Sequence, residues 1–192
     1  MINKENLTLL ASQSNFYNII ELMLENSELK TLLPDIYLLK FYKQSKKWHP
    51  EGNVLQHTIA SLKTVKSNNY LVNLSILFHD IGKPLAYKLR DGNKHTYYNH
   101  ERLGINYFKH YIAKELDLND NEIEIISYCI KEHMRYHLIP KMKNRKVKNL
   151  LNHKYHSILK EVSYADTYSR GDDIADTMWE EIVEKIKLIK EE

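Results

Sequence analysis

Residues 74–84 read LSILFHDIGKP, and this stretch decides the fold. Leu74, Ile76, Leu77 and Phe78 form an apolar run that belongs to a hydrophobic helix expected over 70–81. The run ends in His79-Asp80 and is followed by Ile81-Gly82. A carboxylate at the end of such a helix is costly to bury unless it is paired or binds a metal. Pro84 marks the junction with the next segment, as Pro34, Pro50 and Pro140 do elsewhere. The rest of the chain is therefore read for segments that bring Asp80 a partner.

Four other segments carry such residues on or beside apolar stripes. His133 continues the stripe Ile126, Cys129, Ile130 at helical spacing. His100 starts a stripe continued by Leu103, Gly104, Tyr107 and Tyr111. Asp166 is in register with Ile158, Leu159, Val162 and Ala165, and His57 lies beside Leu55, Ile59 and Leu62. Taken singly, a histidine on an apolar face reads as a hydrogen-bonded core residue. A lone helical aspartate reads as a cap or the partner of an arginine. Taken together, five segments each bring an imidazole or carboxylate inward. A mixed His/Asp set suits a divalent metal (Mn, Fe, Co, Ni, Zn or Mg), with water in the remaining positions.

Composition narrows the classes. The chain has 192 residues with ten His, one Cys, five Gly and four Pro. One domain is the default at this length, and a core of useful size can be buried. A single Cys excludes a disulfide scaffold or a Cys-rich zinc module. Hydrophobic content of 43% with 28% charged residues excludes a disordered chain. No apolar run approaches a membrane span. The start, MINKENLTLL, lacks the apolar core of a signal peptide, so a cytoplasmic location is expected. The formal net charge of +3 says little, but its distribution says more. Residues 141–154, KMKNRKVKNLLNHK, carry six Lys/Arg and no acid, whereas 171–192 carry eight acids against three Lys. The basic stretch is either a solvated face or a contact for RNA phosphates.

Few Gly and Pro mean few tight turns. Apolar spacing predicts an all-α fold of nine helices, over 5–12, 14–30, 32–44, 53–67, 70–81, 98–116, 119–137, 143–152 and 154–190, the last broken at Gly171. Phe16, Ile19, Ile20, Met23 and Leu24 make one stripe. Ile174, Met178, Ile182, Ile186 and Ile189 make another. Asp91-Gly92-Asn93 is a turn signal, and 94–98 is short and extended. Residues 1–45 are read as a helical extension packed on a main body of 46–192. No repeat or low-complexity segment interrupts the chain.

The motifs HPEGNVLQHT (49–58), LFHDIGKP (77–84), NHERLG (99–104) and YADTYSRGD (164–172) give the chain a familiar look. It resembles the HD-domain metal-dependent phosphohydrolase superfamily, and within it the HD domain attached to bacterial tRNA nucleotidyltransferases. The resemblance covers roughly residues 48–190 and implies a compact multi-helix HD bundle. No Gly-rich GGxxRD-like start is present and residues 1–45 are too short to hold a nucleotidyltransferase head, so nucleotide addition is not expected.

By this resemblance a first metal is held by His57, His79, Asp80 and Asp166. A second, where present, adds His100 and His133, with Asp80 bridging. His137 is the rival of His133 or a phosphate contact, and the phase of the apolar face favours His133. Lys83 falls where many members carry a basic residue near the substrate phosphate. Asp80 and Lys83 are thus the catalytic candidates, with Lys83, Arg135 and His137 around the phosphate. The implied reaction is hydrolysis of a phosphate ester of a nucleotide or RNA end by metal-activated water. That covers 2′,3′-cyclic phosphodiesterase, nucleotidase and (d)NTP phosphohydrolase types. Two other readings compete: a non-catalytic nucleotide- or RNA-binding module that keeps the metal site, and a helical fold merely stapled by metal. His49 belongs to the HPEG run, with a structural or substrate-side role open. His95, His110, His153 and His156 read as surface residues. Trp48 and Tyr97-Tyr98 read as packing or base-stacking groups. Loops 84–98 and 137–145 are expected to wall the pocket.

Overall fold

A computed structural model describes residues 4–47, 49–90 and 94–191. Trp48 and the Asp91-Gly92-Asn93 turn signal lie outside the described residues, as does the side chain of Ile174. Among the described residues the architecture is an all-α bundle with a two-stranded antiparallel sheet. In chain order the helices begin with α1 (Lys4–Ala11), α2 (Phe16–Glu25), α3 (Leu29–Leu32) and α4 (Pro34–Leu38). Next come α5 (Val54–Val65), α6 (Tyr70–Phe78) and α7 (Lys83–Ala86). Strands β1 (Lys88–Arg90) and β2 (Lys94–Thr96) pair antiparallel, with Leu89 opposite His95. Then follow α8 (His100–Tyr107), α9 (Ala113–Glu115), α10 (Asp120–Tyr136), α11 (Asn144–Leu151), α12 (His156–Tyr168) and α13 (Asp172–Glu191).

α6 is the hub. Val72, Leu74, Ile76, Leu77 and Phe78 are all buried, as are the polar Asn73 and Ser75, because α1, α5, α10 and α12 pack around it. A helix apolar on every side is stable only in such a position. Deleting one of its leucines to alanine would cost about 2–5 kcal/mol. Three of the core helices, α5, α6 and α10, are started by asparagine side chains. Asn53 accepts from the Gln56 amide of α5 and Asn69 from the Leu71 amide of α6. Asn119 and Glu122 close a reciprocal capping box on α10. Leu7, Ala11, Phe16 and Ile20 of α1 and α2 join the same core as Leu55, Leu74 and Ile130.

Several elements differ from the periodicity. The helix expected over 14–30 stops at Glu25, and α3 begins only at Leu29, after Ser27 takes a left-handed φ of 61°. The helix expected over 32–44 is broken, because Pro34 opens a new helix at its first turn and Tyr42 turns extended. Residues 42–44 then pair with 52–54: Gln44 N–H donates to the Gly52 carbonyl and Val54 N–H to that of Tyr42. The segment expected over 98–116 contains a π turn at Phe108–Ile112. Its wider winding rotates the inner face, so Phe108 and Ile112 are buried while Tyr111, expected on the inner stripe, is 59% exposed. The extended 94–98 segment has a partner strand, 88–90, that its sequence does not announce.

One glycine is dictated by close approach. A Cβ on Gly82 would stand 2.0 Å from the His100 carbonyl oxygen and 2.4 Å from the Gly104 nitrogen. The turn after α6 therefore touches the backbone of α8 directly, and this contact places His100 beside Asp80. Among the described residues, no helix is long and apolar enough to cross a membrane.

Candidate metal centre

The bundle brings His57 from α5, His79-Asp80 from the end of α6, His100 from the start of α8, His133 from α10 and Asp166 from α12 to one point. All are almost completely buried. Their ligating atoms fall into two sets, His57–His79–Asp166 and Asp80–His100–His133. In the first, His57 Nε2 is 3.0 Å from Asp166 Oδ1 and 3.3 Å from His79 Nε2. In the second, His100 Nε2 is 3.2 Å from Asp80 Oδ1 and 3.3 Å from His133 Nε2. Asp80 belongs to both, since its other oxygen, Oδ2, lies 3.2 Å from His79 Nε2.

The ring orientations follow from the opposite nitrogens. His79 Nδ1–H donates to the Ile76 carbonyl at 2.7 Å, His100 Nδ1–H to Tyr97 at 2.9 Å and His133 Nδ1–H to Ile130 at 2.8 Å. His57 Nδ1–H donates to Glu51 Oε1 at 2.6 Å and is 3.0 Å from Ser169 Oγ, which itself donates to the Asp166 carbonyl. Carbonyl and carboxylate oxygens only accept, so each Nδ1 must carry the hydrogen. In the neutral rings the Nε2 lone pairs then face each other in two pairs, His57 with His79 and His100 with His133. Two imidazole lone pairs 3.3 Å apart repel unless a proton or a cation lies between them. Buried Nε2 donors and carboxylate oxygens so arranged could hold a metal ion, and the His/Asp composition suits a borderline or hard divalent one.

The electrostatics agree. Burial works against a charged His79, but the charges of Asp80 and Asp166 outweigh it and raise its pKa. Burial, with His79 and His100 adding to it, drives His133 down to about 3. Burial opposes ionisation of both aspartates. His79 and Lys83 nevertheless hold Asp80 well below the usual carboxylate range, and Arg170 and His137 do the same for Asp166. Both carboxylates of the centre are thus held ionised.

The remaining candidates separate. Lys83, read as near the phosphate, is buried, with Nζ 2.6 Å from Asp80 Oδ2 and donating to Gln44 Oε1. His137 bonds Asp166 Oδ2 at 2.8 Å and falls in neither set. Arg135 is partly exposed and bonds Glu132 at 2.6 Å. His49, on the HPEG run, bonds Glu51. His110 is exposed, but His95, His153 and His156 are half-buried against Tyr87, Tyr128 and Tyr136, because neighbouring aromatic rings cover them. Glu51, Ser169, Arg170 and Gln44 were not singled out from sequence. Glu51 lies inside the HPEG motif, and Arg170 stands one helical turn after Asp166, so both had a signal.

No protein-family model matches the chain. It is 34% identical over 70 residues to a multifunctional CCA protein of Shewanella denitrificans, covering 35% of the chain and 17% of that protein. It is 33% identical over 109 residues to a multifunctional CCA protein of Shewanella frigidimarina, covering 55% of the chain and 25% of that protein. The chain thus matches only a quarter or less of the length of these relatives.

Proposed function

We propose that the chain is an HD-type metal-dependent phosphohydrolase, acting on a phosphomonoester or phosphodiester of a nucleotide or RNA end. The observation that carries this reading is the convergence of four buried imidazole Nε2 atoms and two carboxylates, with every Nδ1 already committed to an acceptor. Divalent cations seated there supply polarisation of phosphoryl oxygens and lower the pKa of a water towards about 7. His57, His79 and Asp166 would hold one ion, and His100 and His133 a second, with Asp80 presenting one oxygen to each set. Lys83 holds a positive charge beside Asp80, where it would meet charge developing on the phosphoryl group. Arg135 and His137 would likewise stabilise charge on the phosphoryl oxygens. The family resemblance, and the likeness to CCA proteins, favour RNA ends among the substrates. The basic face of α11, opposite the buried Val147 and Leu150, is then an RNA contact within 141–154.

The test is metal analysis of the purified protein, followed by phosphate release from mononucleotides, nucleoside triphosphates and 2′,3′-cyclic phosphates with Mn, Mg, Co or Ni. The expected result is one or two ions per chain and hydrolysis that a chelator abolishes. A protein that holds no metal and hydrolyses nothing overturns the reading. Metal and nucleotide binding without hydrolysis would favour the non-catalytic module instead.

A further inference from the structure

Beside the metal centre lies a cleft that the site described above does not use. It has a volume of about 530 Å³, and Lys40, Lys43, Lys46 and Lys94 line it, with no acid among the described residues that do. Lys43, Lys46 and Lys94 are exposed, and no carboxylate pairs with them among the described residues. Three of the four lysines come from the segment before α5, the fourth from β2.

A buried amide gives the cleft a second, independent mark. Gln44 lines it, is only 5% exposed, and its Nε2 has no hydrogen-bond partner among the described residues. The orientation of this amide is fixed by chemistry. Lys83 Nζ can only donate, so the atom it meets at 2.5 Å must be the oxygen Oε1. The unused NH2 therefore seeks an acceptor, and leaving it unmet costs about 1–3 kcal/mol. An unmet amide donor in the wall of a lysine-lined cleft matches an oxyanion.

The same glutamine connects the cleft to the chemistry. Its oxygen receives Lys83, whose Nζ is 2.6 Å from Asp80 Oδ2. The wall is pinned to the start of α5, which carries His57, by the Gln44–Gly52 and Val54–Tyr42 backbone bonds. Tyr97 Oη also donates to the Lys43 carbonyl. Gln44 and Lys83 thus link the cleft to Asp80.

We infer that this cleft binds a phosphate chain, namely the phosphates of the substrate that lie beyond the one hydrolysed. The inference rests on the phosphohydrolase reading for what happens at Asp80, but the binding site itself does not depend on turnover. Either the polyphosphate of a nucleotide or the backbone of an oligonucleotide supplies this chemistry.

The experiment is calorimetry on the full-length chain with inorganic orthophosphate and inorganic tripolyphosphate as probes. Tripolyphosphate should bind at least about tenfold tighter than orthophosphate. Lys43→Ala/Lys46→Ala/Lys94→Ala should lose that preference, and Gln44→Glu should weaken tripolyphosphate by a similar factor. Lys109→Ala/Lys114→Ala/Lys187→Ala removes the same charge elsewhere and should keep it. All three lysines of the first variant are exposed, so circular dichroism should show both triple variants folded. Competition by ATP alone identifies a nucleotide as the source of the chain, and competition by a short single-stranded RNA alone identifies a backbone. Equal affinity for both probes, a preference that survives in the first triple variant, or competition by neither ligand overturns the inference. A chain that shows the preference and hydrolyses nothing keeps the cleft and sinks the enzyme reading. A chain that hydrolyses without the preference does the reverse.

Discussion

The two halves of the centre are built on different supports. In the Asp80–His100–His133 set, each imidazole is oriented by a carbonyl three residues earlier in its own segment, and His79 uses the same device. His57 alone is oriented by side chains from elsewhere, Glu51 and Ser169. A backbone carbonyl arrives with the fold and cannot be mutated away. A carboxylate six residues upstream and a hydroxyl on another helix can be. The His57 side is therefore the adjustable half, and the other half stands or falls with the helix packing.

The largest effect should come from Asp80, which both halves share. Asp80→Ala should bring metal content to background and lower any hydrolytic rate by about 10³-fold or more. Asp166→Ala removes a carboxylate from the first set only, so metal analysis should show partial retention through Asp80, His100 and His133. If both variants lose the same amount, the two sets do not act as separate sites.

Gly82→Ala attacks the packed half through the backbone. The added methyl would meet the His100 carbonyl and Gly104 nitrogen, and neither is a flexible side-chain end. The expected cost is about 3 kcal/mol, read as a lowered melting temperature. His100 should move away from Asp80, so metal loss should fall on the second set. A variant as stable as the parent would mean that α7 and α8 separate freely, and that Gly82 does not position the site.

Much of this was legible because burial of polar groups has few solutions. Asp80 at the end of an apolar helix demands partners, and the helical phases of His100, His133 and Asp166 point them inward. What was hidden depends on long-range packing or on a change of backbone geometry. The π turn at Phe108–Ile112 alters the phase after α8 with no proline or glycine at 108–112 to mark it. The strip 42–44 leaves the helical pattern because its hydrogen bonds go to 52–54, a pairing that no local propensity shows. The burial of Lys83 and Gln44 follows from that pairing, so periodicity alone could not place the cleft against the centre.

A smaller effect is expected at the adjustable half. Burial opposes the charge on Glu51, but hydrogen bonds from His49 and His57 bring its pKa down to about 2. Its folded pKa is depressed, so its contribution to stability is complete above the ordinary carboxylate range and is lost progressively as pH falls from that range through about 2. Glu51→Ala should weaken metal binding at the first set by about 10- to 100-fold. The affinity of the second set should stay unchanged. Uniform weakening of both would mean that Glu51 supports the fold rather than the orientation of one ring.

The smallest effect is kinetic and reports on the packed half. Cys129 lies one turn before His133 on α10, and burial pushes its thiol up to about 12. A buried thiol with so little thiolate should react with a disulfide reagent only when α10 opens locally. A metal held by Asp80, His100 and His133 ties α10 to α6 and α8, so its binding should disfavour that opening. Adding Mn should then slow Cys129 labelling by about tenfold in the parent, as a ligand at ten times its Kd would. Mn should leave the rate unchanged in Asp80→Ala. Labelling of Glu51→Ala should still slow, because the half it disturbs does not include α10. A parent rate indifferent to metal would show that His133 takes no part in holding the ion, and would leave the lone-pair contact between His100 and His133 without its counter-charge.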